Sequence, residues 1–167
     1  MNVESLFLDA SVAKLRQLTE RITVCLGKLT AEQVWARGHE NENAVGNLVL
    51  HLAGNVRQWA LSGLGGRPDV RVRDLEFSTM GGMAPAELTS LIRTTIEEAA
   101  VVISGLTTEQ LTRVYEIQTR RVSGVEAVMN VVQHFAEHTG QIIFATKSLT
   151  GEDLALFAPR NAKPLAR

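Results

Sequence analysis

Four stretches of this chain repeat their apolar residues every three or four positions, a period that belongs to helices with one buried face. In the first, Leu8, Leu15, Leu18, Ile22, Cys25 and Leu29 share a stripe, and the helix they imply ends near Gly27. The second runs over residues 44–62. The third covers 85–104 and opens on Pro85, the residue favoured at a first helical position. The fourth covers 124–149. Ser123 and Glu126 form a capping box at its start, and Gly151 stands where a left-handed cap would end it. Four such faces satisfy one another in an all-α four-helix bundle, and 167 residues suit one domain. The bundle is expected over residues 1–155, with 156–167, holding Pro159 and Pro164, as a poorly ordered C-terminal tail or an arm.

Composition narrows the partners. Hydrophobic residues at 45% and charged residues at 21% describe a globular protein, and 17 Lys and Arg against 18 Asp and Glu leave no basic stripe for nucleic acid. No apolar run approaches the ~18 residues that cross a bilayer, so no membrane partner is expected. The single Cys25 excludes an internal disulfide framework and reads as a small buried hydrophobe. The first residues carry neither a basic segment before a long apolar run nor a small-residue cleavage site, which points to a cytoplasmic protein.

A short repeat divides the chain. Leu29-Thr30-Ala31-Glu32-Gln33 and Leu106-Thr107-Thr108-Glu109-Gln110 follow the first and third helices, each with a Thr-x-x-Gln capping box for a brief helical turn. Each leads to a helix carrying histidine, which suggests two similar helix-turn-helix halves. Residues 64–84 and 113–122 fall outside the helices and are expected as long covering loops.

With each residue advancing ~100° around a helix, His134 and His138 lie ~40° apart, at the margin between the apolar stripe and a polar edge bearing Glu137 and Gln141. His51 occupies the same margin on the second helix, beside Asn47, Asn55 and Gln58. Packing the two helices core to core brings His51 toward the other pair. Three imidazoles with open positions make the donor set of a divalent metal that also takes water or substrate. His39, in a loop, is expected to be exposed and outside the site.

His51-Leu52-Ala53-Gly54-Asn55 and His134-Phe135-Ala136-Glu137-His138-Thr139-Gly140-Gln141-Ile142 resemble the DinB-like (damage-inducible) superfamily of metal-binding four-helix bundles, over roughly residues 1–155. The resemblance implies His51, His134 and His138 as ligands of a zinc- or nickel-type divalent ion. It also implies a homodimer and, from some relatives, transfer or isomerisation chemistry with a low-molecular-weight thiol. A small-molecule substrate is the implied partner.

Glu137 is either a solvated surface carboxylate or the group that orients an imidazole or accepts a proton, with Gln141 assisting from the same polar side. His134-x-x-Glu137-His138 also matches the H-x-x-E-H pattern of a class of metallopeptidases, but that class needs a third ligand well downstream, where this chain offers only Glu152 and Asp153. A non-catalytic metal-binding or sensing protein is the other alternative. Arg67, Arg71 and Arg73 form either an anion clamp over the metal or surface ion pairs with Asp69, Asp74 and Glu76, the second reading being favoured. A second apolar stripe on the fourth helix, Val125, Met129, Val132, Ala136 and Ile143, argues for a homodimer unless residues 113–122 cover it.

Overall fold

The computed structural model describes residues 2–156, so most of the expected tail lies outside the described residues. Helix α1 spans Val3–Leu26, five residues earlier than its apolar stripe begins. Asn2 starts it: its side chain accepts from the Ser5 N–H at 2.8 Å, and Ser5 Oγ accepts from the Asn2 N–H. Helix α2 spans Val45–Val56 and continues as a π-helix over Arg57–Leu64. Three further helices follow: α3 (Arg73–Ser78), α4 (Pro85–Ser104) and α5 (Thr108–Thr112). The last, α6 (Gly124–Thr150), has the Ser123–Glu126 box at its start and Gly151 at φ 69° at its end, as its sequence predicts.

Helix α1 packs on α4 and α6, and α2 packs on the same two, so α1 stands diagonally opposite α2 and α4 opposite α6 in the bundle. Leu15, Ile22, Leu52, Trp59, Ile92, Phe135 and Ile142 meet in its centre, all 2% exposed or less. Each such side chain contributes about 1.5–3 kcal/mol by leaving water. Cys25 is among these buried groups, and burial pushes its thiol pKa up. Among the described residues no helix is long and apolar enough to cross a membrane.

Both capping boxes form. Thr30 and Thr107 accept from the backbone N–H of Gln33 and Gln110, whose side chains accept in return at 3.0 Å. After them the halves diverge. The first makes a single 3-10 turn, Gln33–Trp35, whereas the second makes α5 and then an antiparallel hairpin of β1 (Val114–Ile117) and β2 (Arg120–Ser123).

Residues 113–122 are therefore not a loop. The two-residue turn Gln118-Thr119 has Gln118 at φ 57° without the glycine or asparagine that usually marks such a turn, which is why the pattern gave no warning. Ile117 is buried over Gly63, where a Cβ would stand 2.5 Å from its Cδ1, so the hairpin sits on the π-helix. Residues 64–84 are likewise part-structured, holding α3. Leu154 is 4% exposed and Lys28 pairs with Glu152 at 2.7 Å, so the chain stays packed on the bundle to residue 154, and all but the first residue of the expected 156–167 tail lies outside the described residues.

Candidate metal centre

Helices α2 and α6 bring His51, His134 and His138 into one cluster, with one ring nitrogen from each lying within 4.8 Å of the others. The His134 and His138 rings, one turn apart on α6, have centroids 4.5 Å apart, and His51 lies 5.0 Å from each. His51 Nε2 is 2.9 Å from His134 Nε2. Two nitrogens each about 2.0–2.1 Å from one ion stand roughly 3 Å apart, so this pair fits a shared metal. Among the described residues no carboxylate or thiol joins the three imidazoles.

What holds His51 in place comes from the segment expected to be a solvated loop. Its Nδ1 is 2.9 Å from Glu76 Oε2, and Arg71 grips the same carboxylate with Nε at 2.7 Å and Nη2 at 2.8 Å. The Arg71 and Glu76 side chains are 5% and 9% exposed. Burial pushes the Glu76 pKa up, but hydrogen bonds from Arg71 and His51 and their charges outweigh it and hold the carboxyl below its ordinary value. An ionised Glu76 accepts the Nδ1–H of His51, which fixes the tautomer and leaves Nε2 bare for a metal. Phe77 backs the ring at 4.7 Å.

Gly54 makes the approach possible. A Cβ there would meet Glu76 Oε1 at 1.9 Å and the Arg71 side chain at 3.1 Å, so only hydrogen lets the ion pair lie against α2. This is the signal in the sequence that could have found the pair: a glycine inside a helix, three residues after a histidine.

The favoured reading of Arg71 as a surface ion-pair residue is thus corrected, and so is the anion clamp. Arg71 is buried on Glu76, Arg67 pairs with Glu98, and Arg73 stacks on Phe77 with its guanidinium carbon 4.9 Å from the ring centre. The amides beside His51 are also structural. Asn47 is fully buried and donates to the carbonyls of Glu76 at 2.9 Å and Thr79 at 2.7 Å, tying α3 to α2. Gln58 accepts from Arg71 at 2.8 Å and from Gln118 of the hairpin at 2.6 Å.

On α6, Gln141 Oε1 lies 2.8 Å from His138 Nδ1, so the amide oxygen accepts from that ring and turns its Nε2 toward the cluster. Gln141 therefore acts through His138 in this structure. Glu137 is exposed and accepts from Gln133 at 2.9 Å. Burial, then the neighbouring imidazoles, pushes His134 down to about 4, and burial lowers His138 as well. Both rings are neutral at pH 7, the form a metal binds, so binding there releases few protons. His39 is exposed and apart from the cluster, on a groove of about 580 Å³ that also touches Glu137, Gln141 and Phe144.

The fold has solved counterparts. A conserved protein of Enterococcus faecalis superposes with a TM-score of 0.71 at 16% identity, covering 91% of this chain and 99% of its own. A DinB-like protein of Bacillus cereus gives 0.67 at 16% identity, with 84% and 91% covered. One from Bacillus subtilis gives 0.65 at 18%, with 86% and 94% covered. No curated protein sequence matches the chain. The family model described as "Protein of unknown function (DUF1572)" matches residues 2–162, nearly the whole length. By that match the chain belongs to the DUF1572 family, and it carries the DinB-like fold.

Proposed function

We propose that His51, His134 and His138 hold one divalent metal ion, zinc or nickel, and that the protein is a metal-dependent enzyme acting on a small molecule by transfer or hydrolysis. The observation that carries this reading is the convergence of three imidazoles, two of them anchored through Nδ1 so that Nε2 is presented inward. A divalent ion there would lower the pKa of a bound water or low-molecular-weight thiol toward neutrality. Glu76 and Gln141 position their imidazoles. Glu137, exposed on a groove it shares with Gln141, would take up a proton from a nucleophile in this reading. The absence of a fourth protein donor among the described residues favours an open, reactive site over a closed storage or sensing site.

Metal analysis of the purified protein tests the centre directly. About one ion per chain is expected, falling to background in His51→Ala and His134→Ala. Stoichiometric metal retained in either variant overturns the assignment. A panel of small thiols with electrophilic substrates then tests the chemistry, with metal-free His138→Ala as the control expected to be inactive.

The same reading includes a homodimer in a reducing cytoplasm. The hairpin packs on the π-helix and leaves Met129 57% exposed on the outer stripe of α6, where small Ala136 lets a two-fold copy approach. Sedimentation equilibrium is expected to show a dimer that Ile143→Glu dissociates.

A further inference from the structure

A second cavity, of about 560 Å³, is lined by Arg71 and Glu76 but by none of the three histidines. Its walls come from α2, the π-helix, residues 67–72, α3 and α4, and they are largely apolar: Leu50, Leu61, Val70, Val72, Leu75 and Leu91. Its volume lies in the range that holds small organic ligands. Three of its apolar residues are left facing water, Val70 at 84%, Leu75 at 61% and Val72 at 57% exposed. Large hydrophobes grouped at a cavity rim mark a surface that something covers.

The charges around the cavity say what. Arg67 pairs with Glu98, and Arg71 with Glu76. The Asp69 carboxylate accepts from Gln58 Nε2 at 2.7 Å and from the Arg71 N–H at 3.0 Å. Arg57 is exposed and lines the same cavity, and it is the one charged group there with no partner among the described residues. An apolar trough with one unpaired guanidinium is complementary to an alkyl chain ending in an anion, since guanidinium takes a carboxylate in a two-point hydrogen bond. We propose that this cavity binds a medium-chain alkyl carboxylate, its hydrocarbon against Leu50, Leu61 and Leu91 and its carboxylate on Arg57. The site stands independently of the metal reading, because it uses none of the proposed ligands.

Isothermal titration calorimetry with octanoate, octanol and octylamine tests it on the full chain. Octanoate is expected to bind once per chain and more tightly than octanol, with octylamine silent. Arg57→Ala should weaken octanoate at least about tenfold, which is the loss of one charge-assisted contact of about 1.4 kcal/mol. Both Arg57 and Val70 are exposed, so Arg57→Ala and Val70→Asp test the site without touching the core. Val70→Asp should weaken all chain-bearing ligands. Octanoate binding unchanged in both variants, no octanoate heat at millimolar concentration, or octylamine binding as well as octanoate overturns the proposal. Self-association abolished by Val70→Asp, with octanoate silent, overturns it too and gives the face to a second copy of the chain.

Discussion

The two walls of the histidine cluster are built on opposite plans. On α2, His51 is 5% exposed and its outer nitrogen is locked by a carboxylate that is itself chelated by a buried arginine. On α6, His134 and His138 are half-buried, His138 leans on an exposed amide, and His134 Nδ1 has no partner among the described residues. Burying the Arg71–Glu76 pair carries a desolvation penalty that only tight geometry offsets, so that wall is rigid and intolerant of partial loss. The α6 wall faces water. If the three imidazoles hold a metal as proposed, one ligand is fixed and two are adjustable, and exchange of bound groups would belong to the adjustable side.

The sharpest way to break the comparison is Arg71→Ala, which leaves a carboxylate buried without its cation. Denaturant unfolding of metal-free protein should show a loss of about 3–5 kcal/mol. A loss below about 1 kcal/mol would mean the network is not the rigid element described. Next comes Glu76→Gln, which keeps the shape but not the charge. Competition with a chelator should show metal affinity reduced about 10- to 100-fold. Gly54→Ala should act through the same carboxylate, lowering metal affinity about tenfold because its Cβ displaces Glu76, even though alanine alone favours the helix by about 1 kcal/mol. Wild-type affinity in that variant would show that Glu76 has another way to reach His51.

On the other wall, Gln141→Ala should cost less than tenfold in affinity and leave stability within about 0.5 kcal/mol. An effect equal to that of Glu76→Gln would erase the asymmetry. The smallest effect is on pH. His134 titrates at about 4 in the folded protein against about 6.5 when unfolded. As pH falls, the unfolded chain takes the proton first, so metal-free stability is full above about 6.5 and declines toward about 4. His138, lowered in the same direction, adds to the slope. Because both rings are partly exposed the decline is shallow, and a denaturation midpoint flat between pH 7 and pH 5 would contradict it.

The helices and the three histidines were legible because both depend on local period: apolar spacing sets which faces meet, and the meeting faces carry the imidazoles. Glu76 and Arg71 were not, since their partners lie 25 and 20 residues away through a turn that no periodicity describes. Alternating charges in 67–76 look the same whether they face water or each other. The π-helix escaped for a related reason: a uniform ~100° step places Gln58 at the polar edge of the metal groove, whereas the wider turn over Arg57–Leu64 sets it between Arg71 and the hairpin. The resemblance to DinB-like bundles supplied the fold, but its quoted segments end before residue 67 and resume after 130.

The cluster joins positions 83 residues apart, His51 on the second bundle helix and His134 on the last. At ~5–20 residues per second, a ribosome adds that length in about 4–17 s. For most of that interval His51, Arg71 and Glu76, which lie within 25 residues of one another, are all present, while the histidines of α6 do not yet exist. The contacts that orient His51 thus need no residue of α6. Because α6 also packs against α1 and α2, the three imidazoles come together only when the described bundle closes. A metal held by all three imidazoles would therefore be taken up only after α6 has docked, and would not be needed to start folding.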